Sequence, residues 1–327
     1  MDKKIILISI ENTIKLYNNE NNNNILNINI HDNNINDLLK ISEDIFISSS
    51  KDMTIKFTKL EENYTKYMVI KSIQIHQEEV NQTIKLRKEN LYASCSNDNS
   101  FKIWQFDSND YKSNVIVNNS CYHDFKIISI CQLQDLNIVS ISSEGFLIFW
   151  EYIDNLYEKG SIFKGFKNCL HNCIFLFKDI ILVGTKKSVI FIDIIEKIKI
   201  KKIDLKYNAY SIHHFDKKLF LGLKNNLDSC LLIEYELNNN YNDEINMGKG
   251  YDKCFEISSI YELNENKIVT CNKNNFIKIW KESESKPKNL FFDNNPNFYK
   301  EDDYESDNEL ELNNYNTKKI WKKWNSN

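Results

Sequence analysis

Three residues of types that often bind metal ions lie within one short stretch of the chain: Cys169, His171 and Cys173. Thiolates and imidazoles at this spacing can coordinate zinc, but a structural zinc site needs four ligands, usually supplied as two separated pairs. The other cysteines stand singly, at positions 95, 121, 131, 230, 254 and 271, so no second pair accompanies the first. We therefore expect no metal and no other cofactor, and we expect the cysteines to be reduced thiols.

The adjacent histidines His213 and His214 are a second candidate, for proton transfer. They lie in the stretch 210–215, whose pattern predicts a β-strand, so the two rings are expected to face opposite sides of a sheet as structural residues. The chain also lacks a glycine-rich phosphate loop, a nucleophile elbow and a His-Glu-x-x-His motif. These observations predict a protein that is not an enzyme.

The C-terminal stretch carries residues that could bind a partner. An acidic run at 301–311 is followed by lysines interspersed with Ile320, Trp321 and Trp324. In a helix these three residues would share one apolar face able to dock in a partner's groove. Alternatively, this segment forms a closing β-strand, or its lysines neutralise the acidic run. Ser306 precedes acidic residues in a pattern typical of a kinase site, where modification would add negative charge.

The rest of the chain must position these residues, and one β-rich pattern recurs in it seven times. The copies lie at 5–17, 44–58, 91–104, 137–150, 179–192, 218–235 and 267–280. Their last residues are 41 to 46 residues apart, which is the size of one propeller blade of four strands. Because a single blade cannot bury both faces of its sheet, the copies predict an all-β fold, a seven-bladed β-propeller over residues 1–292. Residues 293–327 are expected to be a disordered or loosely docked tail.

The repeated pattern resembles that of WD40-repeat proteins, over about residues 1–292. The resemblance implies a hydrogen-bonded tetrad in each blade, made of a histidine, a strand serine or threonine, a turn aspartate and a tryptophan. One blade matches the full set, with His76, Ser94 (or Ser96), Asp98 and Trp104. Partial sets contain His31, Asp52, His123, Glu144, Trp150 and Trp280, with Glu144 in the place of the aspartate and Thr58 in the place of one tryptophan.

The first copy of the repeat begins with what resembles the second strand of a blade, so an inner strand is missing there. A C-terminal segment, either 310–312 or 320–324, is one candidate to supply it. The alternative is a blade of three strands.

Composition bounds the possible partners and the compartment. A formal net charge of −4 gives the chain no general affinity for polyanions, so direct binding of nucleic acid is not expected. No stretch of the sequence is long and apolar enough to predict a membrane span. Reduced thiols and the absence of a signal-peptide pattern predict an intracellular protein, in the cytoplasm or the nucleus.

The resemblance implies a non-enzymatic scaffold or adaptor, a monomeric propeller that binds other proteins in a larger complex through its rims and its C-terminal tail. The face formed by the loops that hold the histidines and turn acids is the expected contact surface, and insertions at the opposite rim could form a second one. Two alternatives stay open. One is a subunit of a pre-ribosomal or other RNA-associated assembly, suggested by the acidic and then basic tail. The other is an enzyme whose dispersed residues converge in the central channel.

Overall fold

We analysed a computed structural model of the chain, which describes residues 5–18, 24–88, 90–106, 116–166, 168–177, 179–205, 207–215, 218–224, 230–236, 247–252, 257–264, 267–272, 277–283 and 320–323. Every regular element within these ranges is a β-strand. The all-β class predicted from the repeats is therefore confirmed.

The strands follow one another as antiparallel meanders. Their bounds are β1 (Ile5–Ile10), β2 (Thr13–Asn18), β3 (Asn24–Asn29), β4 (Ile35–Lys40), β5 (Ile45–Ser50), β6 (Ile55–Glu61), β7 (Lys66–Ile73), β8 (Val80–Lys85), β9 (Leu91–Ser96), β10 (Ser100–Gln105), β11 (Ile116–Tyr122), β12 (Ile127–Gln132), β13 (Ile138–Ser142), β14 (Leu147–Ile153), β15 (Leu156–Phe163), β16 (Cys169–Phe177), β17 (Ile180–Thr185), β18 (Ser188–Asp193), β19 (Lys199–Asp204), β20 (Asn208–Phe215), β21 (Lys218–Lys224), β22 (Cys230–Glu236), β23 (Met247–Asp252), β24 (Ile257–Asn264), β25 (Lys267–Asn272), β26 (Ile277–Ser283) and β27 (Ile320–Lys323).

The strands form six sheets. Sheet 1 is β1–β3, and sheets 2 to 5 are the four-stranded sets β4–β7, β8–β11, β12–β15 and β16–β19. Sheet 6 has eight strands in the order β20-β21-β22-β23-β27-β26-β25-β24. Each of the seven repeats in the sequence forms an antiparallel hairpin within a sheet.

Turn residues in a left-handed conformation join the central hairpins of sheets 2, 3 and 4. The equivalent positions are Met53 (φ 67°), Asn99 (φ 65°) and Gly145 (φ 78°). Asparagine and glycine suit this conformation, whereas methionine does not. At Gly145 a Cβ atom would also lie 2.4 Å from the carbonyl oxygen of Phe166, so this turn has no room for a side chain.

The chain divides into two compact units, residues 1–204 and 205–325. In the first, neighbouring sheets stack through apolar faces. Trp104 and Tyr92 of sheet 3 pack against Phe57 of sheet 2, with ring centroids 5.9 Å and 5.8 Å from that of Phe57. Phe101 of sheet 3 meets Trp150 of sheet 4 at 5.1 Å. The facing apolar surfaces of sheets 2, 3 and 4 thus cover one another, as the repeat argument requires.

In the second unit, two meanders share the eight-stranded sheet. Ser211 donates a hydrogen bond to the carbonyl of Ile257 at 2.8 Å, which joins β20 to β24. Strand β27 pairs antiparallel with β26 and makes one parallel bridge to β23. It therefore adds a fourth strand to β24–β26.

Two expectations for the C-terminal stretch change accordingly. Residues 320–323 are a strand, so the helical conformation that would give Ile320, Trp321 and Trp324 a common face is wrong for 320–323, whereas partner docking by these residues stays a prediction. The extended conformation is explained by the backbone hydrogen bonds that β26 offers to this segment. Sheet 1 has three strands among the described residues, and β27 completes a different sheet. The other candidate, 310–312, lies outside the described residues.

Candidate functional site

A chain of hydrogen bonds links four buried or half-buried side chains in sheet 3. His76 Nδ1 lies 2.9 Å from Asp98 Oδ2, and His76 Nε2 lies 2.8 Å from Ser94 Oγ. Trp104 Nε1 donates to the same hydroxyl at 3.1 Å. The structure thus joins the four residues of the predicted tetrad, and Ser94 rather than Ser96 contacts the histidine.

The donors and acceptors in this hydrogen-bonded network determine which of its atoms carry protons. The indole of Trp104 can only donate, and the carboxylate of Asp98 can only accept. A neutral His76 therefore carries its proton on Nδ1, facing Asp98, and its Nε2 accepts the hydroxyl proton of Ser94. Both ring nitrogens are engaged, and the side chain is fully shielded from solvent.

Asp98 is held by four donors. Its Oδ2 also accepts from the backbone N–H of Gln77, at 3.1 Å, while Oδ1 accepts from the backbone N–H and the hydroxyl of Ser100, at 3.0 Å and 2.6 Å. Burial acts to raise the pKa of this carboxyl, but the hydrogen bonds from His76 and Ser100 outweigh it and hold the pKa well below its usual range. Ser100 is a fifth member of the network, and the sequence analysis did not identify it.

Sheet 2 contains the same network without its tryptophan. His31 lies 2.8 Å from Asp52 and 2.7 Å from Ser48 Oγ, and Thr54 Oγ1 donates to Asp52 at 2.6 Å. Burial lowers the pKa of His31 despite the nearby carboxylate. Thr58 occupies the position of the tryptophan, and its buried hydroxyl has no hydrogen-bond partner among the described residues.

Sheet 4 keeps the tryptophan but lacks the carboxylate. Ser140 Oγ lies 2.6 Å from His123 Nε2 and accepts from Trp150 Nε1 at 2.6 Å. Glu144 was expected to replace the aspartate, but its side chain is exposed and makes no hydrogen bond to His123. Phe146 stands where sheets 2 and 3 have Thr54 and Ser100, so the hydroxyl that orients the carboxylate in those sheets is missing here. Burial lowers the pKa of His123 to about 4.

Aromatic residues, two of them exposed and one half-buried, occupy this end of sheet 4 in place of the carboxylate network. Phe125 stacks on Phe146 with ring centroids 5.3 Å apart and planes 21° apart, and Lys164 Nζ lies 5.4 Å from the Phe146 ring. Phe125 is 39% exposed, and Tyr122, three residues before it, is 61% exposed. We call Tyr122, Phe125 and Phe146 the rim surface. No sequence motif marked it, because exposure of an aromatic residue depends on contacts distant in sequence.

The remaining candidates form no second site among the described residues. Cys169 donates to the carbonyl of Phe166, and β16 contains His171 and Cys173, whose side chains are not described. No group of three or more His, Cys, Asp or Glu positioned to hold a metal occurs in the described part of the chain. His213 lies in β20 with its ring centroid 5.8 Å from that of Tyr261, and burial lowers its pKa to about 4.

The C-terminal candidates are only partly covered. The backbone of Trp280 lies in β26, and the backbones of Ile320 and Trp321 lie in β27. Ser306 and Trp324 fall outside the described residues.

Comparisons with known proteins bear on the fold. No protein-family model matches the chain, and no curated protein matches it. Among solved structures, the chain is similar to the crystal structure of the computationally designed protein Ika8, with a TM-score of 0.60 over 86% of this chain and 94% of Ika8. Sequence identity is 14%, so the similarity concerns the fold alone. No helix in the described part of the chain could cross a membrane.

Proposed function

We propose that this chain is a seven-bladed WD40-type β-propeller that serves as a non-enzymatic scaffold for protein–protein interaction within a larger intracellular complex. The observation that carries the proposal is the rim surface, where Tyr122 and Phe125 are exposed and Phe125 stacks on the half-buried Phe146. Aromatic residues dominate the energetics of protein interfaces because they bury a large area while ordering few rotatable bonds.

The tetrads support this proposal by giving the rim a rigid base. In sheets 2 and 3 the histidine–aspartate bond ties the loop before an inner strand to the turn of the central hairpin, across 21 and 22 residues of sequence. In sheet 4 backbone bonds take this role, since Ser143 N–H donates to the carbonyl of Lys126 at 2.8 Å and His123 N–H donates to the carbonyl of Asn99 at 2.7 Å. The loops that carry Phe125 and Phe146 are thus held in place before any partner arrives. Binding to a fixed surface avoids the entropy cost of ordering it.

The same geometry supports a non-catalytic role for these histidines. The side chains of His31 and His76 are fully shielded from solvent, and each uses both nitrogens in internal hydrogen bonds. A general acid or base must reach its substrate within hydrogen-bond distance. These histidines stabilise the sheet and have no free nitrogen for a substrate.

The cysteines support an intracellular location. Cys95, Cys121, Cys131, Cys169 and Cys271 are free thiols. Burial raises the pKa of both Cys121 and Cys131 to about 12, which keeps them protonated and unreactive. Free thiols persist in reducing compartments such as the cytoplasm and the nucleus.

The proposal is tested by affinity purification of the tagged full chain from its own cells, followed by quantitative identification of the proteins that co-purify. We compare wild type with the double variant Phe125→Ala, Phe146→Ala. Met68→Ala is the matched control, because Met68 is 45% exposed on the outer strand of sheet 2, away from the rim surface. Thermal unfolding verifies that the variants are folded.

We expect at least one partner to fall by tenfold or more with the double variant and to be retained by the control, since a hot-spot aromatic contributes about 2 kcal/mol or more. Unchanged recovery of every partner would contradict the proposal. Nuclease treatment before purification separates direct protein partners from those held through RNA, which is what the RNA-associated alternative predicts.

A further inference from the structure

A second surface lies between sheets 3 and 4, at the strand ends opposite the tetrads. In an antiparallel meander, successive turns alternate between the two ends of the sheet. The tetrad turns join β9 to β10 and β13 to β14, whereas this surface lies at the turns that join β8 to β9, β12 to β13 and β14 to β15.

The surface contains a cleft of about 270 Å³. Leu86 and Ile103, both 3% exposed, form its floor, and Leu91, Leu136 and Tyr157 form its walls. This volume is below the roughly 300–1,000 Å³ typical of sites that enclose a whole small-molecule ligand. It suits a single large apolar side chain.

The walls of the cleft are built by specific hydrogen bonds. Tyr157 donates its hydroxyl to the carbonyl of Leu136 at 3.1 Å, and Tyr152 donates to Asn155 at 2.9 Å. Across the two sheets, the guanidinium of Arg87 donates to the carbonyl of Gln134 at 2.8 Å, while its backbone N–H donates to Gln132 Oε1 at 2.8 Å. The two Arg87 bonds fix the loop between β8 and β9 of sheet 3 against the end of β12 and the loop that follows it in sheet 4.

Leu136 occupies a strained backbone conformation at the wall of the cleft. Its φ is 72°, in the left-handed region that leucine disfavours. The corresponding turn of sheet 3 places Asn90 at φ 56°, a residue that tolerates this region. Strain of this kind persists where the surrounding structure holds it in place, and it clusters at ligand-binding sites. The leucine side chain lines the cleft, which an asparagine would make polar.

The charge beside the cleft indicates the partner's chemistry. Lys88 is the charged residue among those that line it, and Lys85 and Arg87 are exposed next to it. Two acids also lie nearby: Asp135 in the facing loop accepts two hydrogen bonds from Asn137, at 3.2 Å and 2.6 Å, and exposed Asp154 lies in the turn that holds Asn155. A ligand with a carboxylate next to its apolar group would complement these cations.

We infer that this cleft binds a peptide segment of a partner protein, in which a large apolar side chain that fills the cleft lies next to an acidic residue. The inference goes beyond the proposed scaffold role because it adds a second, chemically distinct surface at the opposite strand ends. Its test does not depend on whether the rim surface binds a partner.

The test selects a displayed library of random 12-residue peptides on the full chain and measures the affinity of the selected peptides by fluorescence anisotropy. We expect the peptides to share a large apolar residue beside Asp or Glu. Leu136→Asn and Lys88→Glu should each weaken binding by tenfold or more. Phe125→Ala should bind as wild type, which separates this cleft from the rim surface. Leu136→Asn should also melt at a higher temperature than wild type, because the strain is relieved.

Several results would overturn the inference. One is a peptide pool without the apolar–acidic pattern, and another is affinity that neither variant reduces. A lower melting temperature for Leu136→Asn would show that the leucine has a structural role. Displacement of the selected peptides by a synthetic peptide of residues 301–312 would assign the cleft to the chain's own acidic run and remove the external partner.

Discussion

Replacement of Ser94 by alanine tests the tetrad as a stabilising unit. The Ser94 hydroxyl is the only contact point shared by His76 Nε2 and Trp104 Nε1 in this network, at 2.8 Å and 3.1 Å. Its loss leaves two polar atoms buried without partners, because Trp104 and His76 are 0% and 2% exposed. Each such atom costs about 1–3 kcal/mol, so we expect a loss of roughly 2–6 kcal/mol in the free energy of unfolding.

Two serines at the position equivalent to Ser94, one in sheet 4 and one in sheet 2, allow the loss of stability to be compared within the same protein. Ser140 Oγ joins the equivalent partners His123 and Trp150 in sheet 4. Ser48 Oγ bonds to His31 alone among the described residues, since Thr58 replaces the tryptophan. Ser140→Ala should therefore cost about as much as Ser94→Ala, and Ser48→Ala about half. Urea unfolding followed by tryptophan fluorescence and circular dichroism measures all three. Equal losses for the three variants, or losses below about 1 kcal/mol, would refute this account of the tetrad.

Three further perturbations address other features of the first unit. Met53→Asn should raise the free energy of unfolding by about 1 kcal/mol, because asparagine tolerates the left-handed turn that Asn99 adopts in sheet 3; a loss in thermal unfolding would contradict it. Thr58→Val should be neutral or stabilising by about 1 kcal/mol, since it removes a buried unpaired hydroxyl, and a urea midpoint well below wild type would show a missed partner. The pKa of His123 is lowered from 6.5 to about 4, so the unfolded chain binds the extra proton and stability should fall as pH drops from about 6.5 towards 4. His123→Gln should reduce that decline in urea titrations, and the remainder comes from His31 and His213, whose pKa values burial also lowers; an unchanged slope would exclude His123 as a source.

The hairpins were predictable because their signal is local. Alternating apolar residues and turn residues such as Asn99 and Gly145 lie within about 14 residues of one another, and every repeat forms a hairpin. The His76 network was predictable for a related reason, because its members occur at fixed places in a repeat. Features that depend on distant contacts were not predictable.

Glu144 illustrates that limit. Its place in the repeat suggested a substitute for Asp98, but the role of Asp98 depends on the hydroxyl of Ser100, and sheet 4 has Phe146 at that position. The same phenylalanine creates the rim surface by stacking on Phe125, a contact that spans 21 residues. The helix expected at 320–323 was inferred from the sequence of that segment alone. Its strand conformation depends on pairing with β26, which is distant in sequence.

The pairing of β27 with β26 has a consequence for how the protein is made. Strand β26 ends at Ser283 and β27 begins at Ile320, so 36 residues must be translated between them. At the usual 5–20 residues per second, the outer edge of β26 lacks this partner for roughly 2–7 s of each round of synthesis. An unpaired strand edge invites pairing with another chain. Neighbouring nascent chains on one messenger RNA are thus most prone to associate through this strand edge during the interval. Slow codons for residues 284–319 would lengthen the interval.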